Sequence, residues 1–231
     1  MGKKTALGGG IYFSPALFGS NANNRSFLSD HNGSSETGHF NLNITYDLFV
    51  ERVISNRWLF GTSVKYIHTG YDNRSYGYYG KPEGYYKINA VIINPYFKHY
   101  SRRTPAPLGK YFYIGPSLQL IFTKHDNYMY VLNRTSDGHD TLISNYGPPK
   151  QMHYGGDLMV GFGKTRVIKN KILIDYGYNA GVISVLHTME ALGSNLIFGG
   201  SSKSDYIERT SRSRIRNATR FNLFFRIAYL L

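Results

Sequence analysis

The stretch Arg220-Phe221-Asn222-Leu223-Phe224-Phe225-Arg226-Ile227-Ala228-Tyr229-Leu230-Leu231, "RFNLFFRIAYLL", decides the fold. Its odd positions carry Phe221, Leu223, Phe225, Ile227, Tyr229 and Leu231. Its even positions carry Arg220, Asn222, Phe224, Arg226, Ala228 and Leu230. Period-two alternation marks a β-strand, whose successive side chains point to opposite faces. One face is apolar and the other holds two arginines. The apolar face must meet either a protein core or lipid, and the rest of the chain decides which.

The same alternation recurs upstream. Phe40, Leu42, Ile44, Tyr46, Leu48 and Val50 alternate with His39, Asn41, Asn43, Thr45, Asp47, Phe49 and Glu51. After a tight Ser55-Asn56-Arg57 turn, Trp58, Phe60, Thr62, Val64 and Tyr66 alternate with Leu59, Gly61, Ser63, Lys65 and Ile67. The spacing predicts eight strands, roughly at 7–18, 38–54, 57–72, 84–101, 110–125, 150–166, 171–188 and 215–231. Helical spacing with credible caps is nearly absent. The connections near 55–56, 102–109 and 167–170 are short. Those near 19–37, 73–83, 126–149 and 189–214 are long and rich in Gly, Ser, Asn and Asp. No shift of composition marks a boundary, so residues 1–231 read as a single domain.

Composition narrows the classes. The 231 residues include no cysteine, which excludes a disulfide framework and thiolate metal sites. The 21 tyrosines, 14 phenylalanines and 25 glycines suit a β-rich chain with many turns. No apolar run of about 18 residues offers a transmembrane helix, a test that a membrane barrel escapes because only every second residue of its strands is apolar. The start, MGKKTALGGG, lacks the apolar stretch of a signal peptide, and the expectation is a mature chain with a replaced start. A net charge of +13 raises nucleic-acid binding. The basic residues fall in short clusters at regular intervals instead of on one helix or tail, which argues against it.

An even strand count, short turns at one end and long loops at the other describe an all-β, eight-stranded antiparallel transmembrane β-barrel. Strands that cross lipid need about 9–11 residues, and these are longer. Soluble domains average about 5–6. In hydrocarbon every backbone donor needs a partner, so the sheet must close on itself. A barrel of this size fills its interior with side chains.

Phe221, Phe225, Ile227, Tyr229 and Leu231 resemble the assembly signal found in the last strand of Gram-negative outer-membrane proteins, with Leu231 in place of the usual terminal Phe. The whole chain resembles a small outer-membrane barrel of the OmpA/OmpX type, and its Tyr/Asn-rich loops resemble those of Bacteroidetes barrels. The resemblance implies a bacterial cell outer-membrane location, short turns in the periplasm and recognition by the barrel-assembly machinery. It also implies a non-enzymatic role, as a structural or surface-binding barrel or as a subunit of a larger envelope complex.

With the apolar face in lipid, the opposite face points into the lumen. Asp47, Glu51, Lys65, Lys87, Asp157, Asp175, Arg220 and Arg226 are then expected to form an ion-pair network, because isolated buried charges are very costly. A hairpin centred on Asn56 places Asp47 opposite Lys65. His39, His125, His153 and His187 face inward near the long-loop rim, where imidazoles could hydrogen-bond, bind a metal or move protons. No compact ligand spacing supports a metal, and no cofactor is expected. Tyr71, Tyr85, Tyr86, Tyr111, Tyr113, Tyr128 and Tyr154 suggest interfacial girdles.

Two competing readings stay open. Some outer-membrane barrels are lipid A acyltransferases or deacylases. The catalytic candidates here are His187 with Ser184 and Glu190, or His125 with Asp126. None forms a diagnostic motif, since such partners meet in space and not in sequence. A soluble lipocalin-like carrier would have the same strand count with its faces reversed. Lys3, Lys4, Arg52, Arg57, Arg102, Arg103, Lys110, Lys164, Arg166, Lys169 and Lys171 all fall on the short-turn side, suited to lipid phosphates or an acidic partner. Lys203, Arg209, Arg212, Arg214 and Arg216, in the last long loop and strand start, are candidates for lipopolysaccharide phosphates. The apolar segments Tyr128–Leu132 and Leu196–Phe198 suggest docking to a protein partner or packing over the barrel mouth.

Overall fold

A computed structural model describes residues 5–15, 42–73, 84–101, 105–125, 129–134, 140–144, 150–169, 171–184 and 203–231. Eight strands close into one antiparallel barrel: β1 (Thr5–Pro15), β2 (Leu42–Val53), β3 (Trp58–Asn73), β4 (Gly84–Tyr100), β5 (Gly109–His125), β8 (Lys150–Ile168), β9 (Ile172–Ser184) and β10 (Phe221–Leu230). Between β5 and β8, β6 (Met129–Arg134) and β7 (Asp140–Ser144) pair as a separate hairpin that takes in most of the apolar Tyr128–Leu132 stretch. Leu196–Phe198 lies outside the described residues. Neighbouring barrel strands are neighbours in sequence order, and β1 pairs with β10 from Ala6↔Leu230 to Phe13↔Leu223. That last ladder removes the sheet's edges.

The faces sort as the alternation requires. Outside, Leu48 is 71% exposed and Leu118 58%, with Leu7, Val64, Phe97, Phe162 and Phe225 in the same band. Every barrel strand contributes apolar side chains to this belt, far more than a soluble monomer leaves uncovered. Inside lie Asp47, Glu51, Lys65, Lys98, Asp175 and Arg226, all buried. Apolar groups outside and charges inside are the pattern of a transmembrane barrel and the reverse of a lipocalin. Asp47 does stand opposite Lys65.

The sequence reading needs one correction in the last connection. Lys203–Thr219 forms a helix, α1, where a loop and the first residues of a strand were expected. Ile207, Ser211, Ile215 and Ala218 recur at spacings of four and three. With serine among them, this stripe is too polar to read as an amphipathic helix. Glu208 and Arg212 form an i,i+4 ion pair of 2.5 Å, and Arg216 sits in the last turn, where a cation suits the helix dipole. Only Arg220 separates α1 from β10. Asn222 Nδ2 donates to the Thr219 carbonyl at 2.7 Å, satisfying an acceptor left open at the helix end. No helix among the described residues is long and apolar enough to cross a membrane.

Candidate functional site

The lumen has two storeys. The lower one, toward the short turns, is ionic and centres on Arg226, which is 1% exposed. Its Nε lies 3.0 Å from Asp47 Oδ2, and its Nη1 lies 3.2 Å from Glu51 Oε1 and 3.5 Å from Asp175 Oδ2. Nη2 donates to Tyr96 Oη at 2.7 Å, and the guanidinium carbon sits 3.4 Å from the centre of the Phe49 ring. Lys98 is the second hub, with Nζ 2.7 Å from Glu51 and 2.6 Å from Asp175. Tyr96 donates to Glu51 and Tyr111 to Asp175, each at 2.6 Å. Three carboxylates thus meet two multidentate cations, and tyrosine hydroxyls also donate to Glu51 and Asp175, while Asp47 has the Arg226 ion pair but no hydrogen-bond donor among the described residues. Pairing of opposite charges is what makes buried charge tolerable.

Glycine makes room for this storey. A Cβ on Gly10 would run into Arg226 Cγ, and one on Gly61 would lie 2.5 Å from Tyr96 Cζ. Gly10 therefore admits the arginine and Gly61 the tyrosine ring.

The upper storey is largely apolar. Ile67, Ile88, Ala90, Ile92 and Ile121 point inward and pack against Ile215 and Ala218 of α1. The helix thus plugs the long-loop mouth. Thr123 Oγ1 donates to Ser211 Oγ at 2.8 Å, and Thr219 Oγ1 to the Ile215 carbonyl at 2.9 Å. Gln119 donates to Asp157 at 2.6 Å, so Asp157 faces inward but belongs to the upper storey. A cavity of about 10 Å³, lined by Tyr12, Thr45, Lys65, Ser117, Thr219 and Asn222 among others, lies between the storeys and has room for about one water.

Several expected site residues fall elsewhere. Lys87 is on the outward-facing parity of β4, because Ile88, Ala90 and Ile92 occupy the inner positions. Arg220 is exposed at the junction of α1 and β10 and is not buried among the lumen charges. Lys65 is buried opposite Asp47, but its ammonium rests 4.0 Å from the centre of the Tyr12 ring. Tyr111 and Tyr113 are lumen residues, not girdle residues: Tyr111 serves Asp175, and Tyr113 donates to Asn94. Tyr154 does face outward. Sequence reasoning missed Lys98 and Tyr96. With Asn94 and Tyr100 they occupy every second position of β4, and that shared parity was the available signal.

At the rim, His153 is buried, with Nδ1 3.8 Å from Glu208 Oε2 on α1. His39, His187, Glu190 and Asp126 lie outside the described residues, as do the side chains of His125, Ser184, Lys203 and Arg209. Arg212, Arg214 and Arg216 are half-buried on the plugging helix. Among the described residues no group of three or more His, Asp or Glu side chains is arranged to hold a metal ion.

No protein-family model matches the chain, and no curated protein matches it. Solved structures do. Neisserial surface protein A (NspA) is 9% identical, with a TM-score of 0.39 over 98% of this chain and 96% of that one. Ail, the attachment invasion locus protein of Yersinia pestis, is 10% identical over 99% of this chain and 98% of that one. Its TM-score is 0.40 in complex with the heparin analogue sucrose octasulfate and 0.38 in a second structure. At such distance the barrel assignment rests on this chain's own ladders.

Proposed function

We propose that this chain is an integral outer-membrane barrel of a Gram-negative bacterium, without a catalytic role. It works as a structural or surface-binding barrel that holds long extracellular connections, alone or as a subunit of a larger envelope complex. The observation that carries this reading is a lumen closed twice, by ions below and by α1 above, inside an apolar belt. Such a body suits anchoring better than conduction. In this orientation the short turns face the periplasm. The basic residues of α1 and its surroundings, Lys203, Arg209, Arg212, Arg214 and Arg216, then stand at the level of lipopolysaccharide phosphates. A mild-detergent pull-down from native membranes tests the subunit role. A stoichiometric partner supports it, and recovery as a lone barrel leaves only the freestanding role. Purification as a monodisperse species without detergent would remove the membrane reading altogether.

A further inference from the structure

The outer wall at the short-turn end carries cations in segments that hold no carboxylate side chain. Segments 52–57, 98–110 and 163–171 contain no Asp or Glu. The carboxylates nearest this end, Glu51 and Asp175, are buried in the lumen and held there by Lys98 and Arg226. Lys110 of β5 pairs directly with Lys164 of β8, and both are on the outward parity, since Tyr111 and Thr165 beside them are buried. Arg166 lies on the same face, two residues along β8, and is exposed. Among the described residues, none of the three side chains makes an ion pair or hydrogen bond. Like charges directly opposite in an antiparallel ladder repel and destabilise the pair. An anion bound outside the protein would relieve that repulsion.

What lies beside these cations identifies the anion. Two residues up the same strands, Phe112 and Phe162 face outward with ring centres 5.3 Å apart. A cationic trio beneath an exposed aromatic pair matches a molecule with an anionic head and a hydrocarbon tail. Lys110, Lys164 and Arg166 would hold the phosphate, while the acyl chains run along Phe112 and Phe162. We infer that this trio is a binding site for an anionic phospholipid of the inner leaflet, such as phosphatidylglycerol. The inference rests on the outer-membrane reading above. An acidic periplasmic protein could satisfy the charges, but it would not need apolar rings beside them.

The single tryptophan provides the test. Trp58 faces outward, in the row that runs Trp58↔His99↔Phe112↔Phe162, about 10 Å from β5 at the usual strand spacing. The refolded chain is placed in phosphatidylcholine vesicles containing a minor fraction of brominated phosphatidylglycerol or, in parallel, of brominated phosphatidylcholine. Quenching of Trp58 is then compared. The expected result is stronger quenching by the phosphatidylglycerol, equivalent to roughly five-fold preferential occupancy, the effect of about one basic residue at an anionic surface. Lys110→Gln with Lys164→Gln and Arg166→Gln should make the two lipids equal. Lys110→Glu with Lys164→Glu should put phosphatidylglycerol below phosphatidylcholine. Equal quenching in the unmodified chain, as expected of a site for an acidic protein, overturns the assignment. So does a preference that survives the triple substitution. If neither brominated lipid quenches Trp58 even as the sole lipid, the membrane reading itself falls.

Discussion

The two storeys of the lumen solve the same problem by opposite chemistry. Both must fill a narrow space bounded by strands. The lower storey fills it with Arg226, Lys98, Glu51 and Asp175, each held by several partners, and with Asp47, held by Arg226. The upper one fills it with isoleucines and a helix that brings its own apolar stripe. The difference follows from what each end can supply. The short-turn end has no long connection to fold inward, so strand side chains must reach across and meet, and long charged side chains can. The long-loop end has a chain segment to spare, and α1 enters as a solid filler. The lower storey is therefore strict about partners, and the upper one about volume.

That contrast is best broken at Arg226. Replacing it with Met leaves Asp47, Glu51 and Asp175 facing one another with only Lys98 between Glu51 and Asp175. We predict a loss of about 3–5 kcal/mol, read from the urea midpoint of the heat-modifiable band in detergent. A loss below about 1 kcal/mol would mean the ionic storey is solvated after all.

The upper storey should respond to lost volume. Ile215→Ala removes a fully buried side chain and is expected to cost the helix seat about 2–4 kcal/mol. The readout is faster proteolysis within 203–219 while the barrel keeps its urea midpoint. A midpoint drop as large as that of the Arg226 variant would show that the storeys melt together. Gly61→Ala is a subtler probe of the lower storey. The added methyl pushes on Tyr96 and, through it, on Glu51 and Arg226. An overpacking cost of about 1–3 kcal/mol is expected in the same unfolding assay. Smallest of all, Glu208→Gln removes a half-exposed i,i+4 pair to Arg212 and should change stability by at most about 0.5 kcal/mol. A larger effect would assign the rim contact to His153 a structural weight that its 3.8 Å separation does not suggest.

The same contrast explains what the sequence disclosed. In β2, β3 and β10 the lumen positions around the ionic storey are mostly polar, so parity gave the correct faces, and the Asp47–Lys65 register followed from the Ser55–Arg57 turn. In β4 the rule of polar side chains inward failed. The upper inner positions are Ile88, Ala90 and Ile92, because α1 packs there, while Asn89 points out to bond Tyr66 and His68. Reading β4 by polarity alone inverts it, which assigns Lys87 to the lumen and hides Lys98. The helix went unread for the complementary reason. Its buried stripe mixes Ser211 and Thr219 with Ile215 and Ala218, since it meets hydroxyl groups as well as isoleucines. A single strand's pattern cannot reveal which loop will fill the space it faces.

Arg226 also bears on how the barrel comes together. Its partners sit on β2, β4 and β9, and its bond to Glu51 joins residues 175 positions apart. In an open sheet Arg226 can meet only Asp175, its direct partner on β9, and not Asp47 or Glu51 of β2. Until the last strand docks against the first, Asp47 and Glu51 face a half-built interior without their arginine. Partial assembly in lipid is therefore heavily penalised, and the final step releases that penalty at once. The arginine acts as a latch. It gives the finished wall a high barrier to reopening, so the working lifetime of the barrel is set by an unlatching rate more than by an equilibrium.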